Sequence, residues 1–119
     1  MDKETFIKRI ENSDTSLDEK YIKSIIQKSI ESNLNDGNPR GHRNLIIAME
    51  ESSELIKEIS KYLRGKGEYI GILEELADAK IGMYYIQEIC GIRDDEINKA
   101  INVKIENLEN GLNKYGHLK

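Results

Sequence analysis

The chain has no tryptophan, one phenylalanine, one proline and one cysteine in 119 residues. With so few turn signals a many-stranded sandwich is excluded, and 38% apolar with 34% charged content suits an all-α fold. The lone Cys90 cannot form an internal disulfide; inside an apolar run it reads as a core residue of a reducing compartment. No apolar run approaches the roughly 18 to 20 residues of a membrane span. The opening MDKETF lacks a basic-then-apolar leader pattern. Together these absences predict a cytoplasmic protein with no membrane partner.

Basic excess is missing too. A net charge of -4, with no basic stripe carrying interleaved aromatics, argues against a nucleic-acid partner, because backbone binding needs Lys and Arg to neutralise phosphates. Anionic ligands held through metal ions stay open.

What is present is helical periodicity. Phe6, Ile7 and Ile10 mark a helix around Lys3 to Asn12, and Tyr21, Ile22, Ile25, Ile26 and Ile30 mark another around Asp18 to Ser32. The run from Asn33 to Arg43, NLNDGNPRGHR, holds the only proline and is the one clear loop and hinge. It divides the chain into an N-terminal helical arm, residues 1–35, and a second domain, residues 44–116.

Three longer helices follow: about Asn44 to Arg64, stopped by Gly65; about Tyr69 to Cys90, stopped by Gly91; and one opening with Asp94 as its N-cap, with Ile97, Ile101, Ile105, Leu108 and Leu112 on a stripe. The short links RGKGE and GIR predict antiparallel neighbours in a four-helix-bundle-like core. The helix from Tyr69 is apolar nearly all round and so is expected to be buried, which in a chain this short calls for completion by a second copy, as a homodimer or homotetramer.

Two acidic clusters interrupt this apolar pattern. At about 100° per residue, Glu51, Glu54 and Glu58 form one stripe bordering a face of Ala48, Ser52, Leu55, Ile56, Ile59, Tyr62 and Leu63. Glu75 and Asp78 share a face with Gly71 and Gly82. Buried carboxylates cost several kcal/mol unless compensated, whether by Lys or Arg or by a metal. Antiparallel packing across RGKGE would set Glu51 and Glu54 opposite Glu75 and Asp78, an all-oxygen cage suited to a hard divalent ion. A di-iron bundle would need ExxH repeats, and neither His42 nor His117 follows a Glu by three residues.

At these residues the chain resembles the MazG-like members of the all-α nucleoside triphosphate pyrophosphatase superfamily, whose signature is EExxE followed after a spacer by ExxD. Here the halves are Glu50, Glu51, Ser52, Ser53, Glu54 and Glu75, Leu76, Ala77, Asp78. The likeness covers about Asn44 to Leu112. It implies Glu51, Glu54, Glu75 and Asp78 as ligands of Mg²⁺, with Mn²⁺ as a substitute, and Glu50 as an auxiliary catalytic acid. It also implies hydrolysis of a (d)NTP between the α and β phosphates, giving a monophosphate and pyrophosphate. The bound ions would neutralise the triphosphate and activate the attacking water.

The family's basic pair on the last helix is only half present, as Lys104 without a basic residue or Asn four later. Arg64 and Lys66 are further phosphate-binding candidates from position. A dUTP- or dCTP-specific enzyme, a phosphoribosyl-ATP pyrophosphatase and a non-catalytic helical interaction module remain as alternatives.

Overall fold

The computed structural model describes residues 1–35 and 41–115. It is all-helical, with α1 Lys3–Glu11, α2 Glu19–Asn35, α3 His42–Leu63, α4 Tyr69–Cys90 and α5 Asp94–Tyr115. None of these helices is long and apolar enough to cross a membrane. The chain forms two compact units, Met1–Ile89 and Cys90–Lys119.

Local chemistry explains where the helices begin and end. Asp2 caps α1, its Oδ1 accepting from the Thr5 amide at 2.8 Å. After α3 and α4 the chain turns at Gly65 and Gly91, both at positive φ (72° and 69°), as their place in the sequence requires. The loop expected from Asn33 to Arg43 is shorter, because α2 continues through Asn35 and α3 begins at His42; the hinge reading falls mainly on residues 36–40, outside the described residues. At α5 the cap position belongs to Arg93, not Asp94: the Arg93 amide donates to Glu96 Oε1 at 3.2 Å, one half of a capping box. The α5 stripe of Ile101, Ile105, Leu108 and Leu112 is exposed.

In the first unit α3 and α4 run antiparallel. Gly82 lies against Ala48, Gly71 against Glu58, and Gly41 against Ile89, so partners are separated by a nearly constant sum of residue numbers. The α3 seam therefore reads Asn44, Ala48, Glu51, Leu55, Glu58, and the α4 seam Gly71, Glu75, Asp78, Gly82, Tyr85, Ile89. Both alternate steps of three and four, the spacing of helices that pack along a narrow strip. The seam differs from the apolar face expected for α3: Ile56 is 66% exposed and Leu63 78% exposed. Small residues set this register, since Gly82 and Ala48 let the backbones approach where larger side chains would hold them apart.

A polar network fastens α2 to one end of the seam. Asn44, only 1% exposed, accepts from Asn33 Nδ2 at 2.9 Å and donates to Ser29 Oγ at 3.4 Å; the Tyr85 hydroxyl donates to the same Ser29 Oγ at 2.9 Å. Further along, the Tyr84 hydroxyl meets both Glu19 carboxylate oxygens at 3.1 and 3.0 Å.

Among the described residues the buried apolar side chains are Ile26, Ala48 and Ala79. The expectation that α4 is buried is thus corrected for the single chain: it buries Gly71, Ala79 and Gly82, while Leu76, Ile81, Met83 and Ile86 are exposed. Cys90 is likewise exposed rather than a core residue. Periodicity reports apolarity, and three helices in contact cannot cover every apolar side of α4.

The seam yields a paired stability test. A Cβ at position 82 would stand 3.3 Å from the Ala48 Cα, which is backbone, whereas at 71 it would meet only the movable end of Glu58. Gly82→Ala is expected to lose about 1 to 2 kcal/mol in urea unfolding, overpacking outweighing the gain in helix propensity. Gly71→Ala is expected to stay within about 1 kcal/mol of the parent.

Candidate metal centre

The middle of the α3–α4 seam is acidic. Glu51 on α3 and Glu75 and Asp78 on α4 each offer a carboxylate oxygen, and these atoms lie within 4.8 Å of one another. All three side chains are half-buried. Helix spacing brings them together: Glu75 and Asp78 are one turn apart on the same face, and the antiparallel register places Glu51 opposite Asp78. The Gly82–Ala48 contact beside them keeps the helices close enough for the three carboxylates to converge.

Charge and burial act on these acids in the same direction. Desolvation, then the charges of Asp78 and Glu54, a hydrogen bond with Asp78 and the charge of Glu50 hold the Glu51 carboxyl above the usual glutamate range. Desolvation followed by the charges of Asp78, Glu51, Glu74 and Glu54 raises Glu75. The charges that act on both are those of other carboxylates. Glu75 Oε2 is buried and has no hydrogen-bond partner among the described residues, and a buried acceptor left unpaired costs about 1 to 3 kcal/mol. A hard cation fits this donor set: it would give Glu75 Oε2 a partner and would meet oxygen atoms only.

Of the expected ligands, three converge and one stands outside. Glu54 is exposed and its Oε1 pairs with Lys57 Nζ at 3.1 Å, although its charge still reaches Glu51 and Glu75. Glu50 is exposed on α3 and acts on Glu51 through its charge. Arg64 and Lys66 are exposed in the turn after α3. Arg64 follows Glu51 by thirteen residues, about 20 Å along the helix, so the fold does not bring it to the cluster. Lys104 lies exposed on α5, in the second unit. His42, expected in the loop, opens α3 and is exposed; His117 is outside the described residues.

Glu58, on the stripe expected with Glu51, lies in the seam with its Oε2 over the Cβ-less Gly71. What escaped the sequence reading is the ion pairing of the stripe: Glu58 Oε1 accepts from Lys61 Nζ at 3.1 Å, and Glu54 is tied to Lys57. The three-residue spacing of each acid and lysine was the available signal.

Raised carboxyl pKa values fix the sign of a pH effect. The stability that protonated Glu51 and Glu75 contribute is fully present below about pH 4.5, the ordinary glutamate value, and is lost as pH rises through their higher folded-state values. Glu75→Gln, measured with EDTA, is therefore expected to unfold at higher urea than the parent at pH 7, by about 1 kcal/mol. The difference should shrink as pH falls through the glutamate range. A variant less stable than the parent at pH 7 would contradict the electrostatic account.

Comparison with protein-family models, with curated proteins and with solved structures found no match to this chain.

Proposed function

We propose that the chain is a divalent-metal-dependent nucleoside triphosphate pyrophosphohydrolase, with Mg²⁺ as its ion and Mn²⁺ as a substitute. The observation that carries the reading is the convergence of Glu51, Glu75 and Asp78 in a helix seam, with Glu75 Oε2 buried and without a hydrogen-bond partner among the described residues. The ordered pair EExxE and ExxD adds the likeness to MazG-like enzymes, and with it the substrate class.

In this reading Glu51, Glu75 and Asp78 would hold the ion and Glu54 would join them from the rim. The ion supplies charge neutralisation for the triphosphate and Lewis acidity at the α–β linkage. Glu51, Glu75 and Asp78 would confine such an ion to the seam between α3 and α4. Glu50, exposed on α3 beside Glu51, would be the auxiliary acid that orients water.

We also propose that the protein works as a homodimer or homotetramer. Support comes from the small apolar core and from the exposed Met49, Ile56, Leu63, Leu76, Ile81 and Met83, a larger apolar surface than a short helical chain needs for itself. Light scattering is expected to give the mass of two or four chains; a monomer at micromolar concentration would refute this part.

The direct test is incubation with a panel of canonical and modified (d)NTPs and phosphoribosyl-ATP, with Mg²⁺, Mn²⁺ or EDTA, resolving products by chromatography. Monophosphate and pyrophosphate are expected with metal and not with EDTA. Glu75→Gln and Asp78→Asn should lose about 100-fold or more, and Glu54→Gln about tenfold, with helical content unchanged by circular dichroism. No turnover of any nucleotide would favour the interaction module instead.

A further inference from the structure

If the seam binds a metal as proposed above, the neighbouring pair of Glu54 and Lys57 has a part in it. Glu54 occupies the motif position expected of a ligand, and its charge raises the pKa of both Glu51 and Glu75. Its carboxylate nevertheless stands apart from the three that converge, held by Lys57 Nζ at 3.1 Å. The two side chains are 50% and 64% exposed, so the pair is weak and its members are free to swing. One turn along α3, Lys61 pairs with Glu58 at the same 3.1 Å, but that carboxylate is only 20% exposed and rests on Gly71.

The difference between the two pairs is the clue. Glu58 is fixed in the seam, whereas Glu54 is an outer acid with somewhere better to go once a cation is present. A cation arriving with a triphosphate brings anionic oxygens beside the same rim, and a lysine that loses its carboxylate there is an ammonium without a counter-ion next to a phosphate.

We propose that Lys57 is a phosphate-binding residue held in reserve by Glu54: a divalent cation draws the Glu54 carboxylate toward Glu51, Glu75 and Asp78, and the released Lys57 ammonium takes an oxygen of the arriving nucleotide's phosphate chain. The exchange conserves the ion-pair count while passing the lysine from protein to substrate. Lys57 thereby supplies from α3 a cation six residues from Glu51, where Arg64 is thirteen away.

Calorimetry on the full chain tests this with two probes, MnCl₂ alone and then a non-hydrolysable α,β-methylene nucleoside triphosphate at saturating Mn²⁺. Lys57→Met should tighten Mn²⁺ binding about two- to fivefold, by removing the competitor for Glu54, and weaken nucleotide binding about tenfold. Lys61→Met removes the same charge one turn away and should leave both within about twofold. In a Glu54→Gln background, Lys57→Met should no longer affect Mn²⁺. Mn²⁺ binding by the parent with Lys57→Met unchanged, or indistinguishable from Lys61→Met, would overturn the exchange and leave the metal site standing. Absence of Mn²⁺ binding by the parent would overturn the site and the exchange with it.

Discussion

Everything in the first unit turns on placing like charges where a helix pair ordinarily places leucine. An antiparallel seam is stabilised by apolar side chains meeting at alternate spacings of three and four. Here the central positions are Glu51, Glu75 and Asp78, and their mutual repulsion and desolvation work against the fold that brings them together. The helices are held at that distance by other means: the glycine–alanine contact beside the acids, and the Asn44, Ser29 and Tyr85 network at the end. Such an arrangement stores part of the folding free energy at the site, where a ligand of opposite charge can recover it.

That arrangement also accounts for how much was legible beforehand. Helix positions followed from apolar spacing and from glycines at the stops, because these are local effects. The carboxylate cluster was legible because Glu75 and Asp78 are polar interruptions of a helix with scarcely any other polar side, and two such interruptions on one face point to a shared partner. The exact seam of α3 was not legible. Ile56, Tyr62 and Leu63 outweigh Ala48 and Glu51 on any hydrophobicity scale, yet close approach is decided by the smallest residues, Gly71 and Gly82, and these sit on the other helix. Periodicity within one helix cannot see what the facing helix lacks.

For the same reason Glu54 was grouped with its neighbours. At about 100° per residue Glu51 and Glu54 fall within one stripe, and only the partner choice of the side chain, Lys57 in this case, separates them. Cys90 and much of α4 were assigned to a core because apolarity was equated with burial. The two are equal only where a chain has enough mass to cover its apolar surface.

Asn44 carries a consequence for folding fidelity. Because the seam repeats in three- and four-residue steps, α4 slid along α3 by one repeat would still present the same face. Asn44 and Tyr85 together exclude the slide: Asn44 ties α3 to Asn33 and Ser29 of α2, Tyr85 ties α4 to the same Ser29, and a slipped α4 would carry the Tyr85 hydroxyl away from Ser29 while Asn44 kept its partners. The network that holds the helices together thus also acts as a proofreader, rejecting alignments that hydrophobic contact alone would accept.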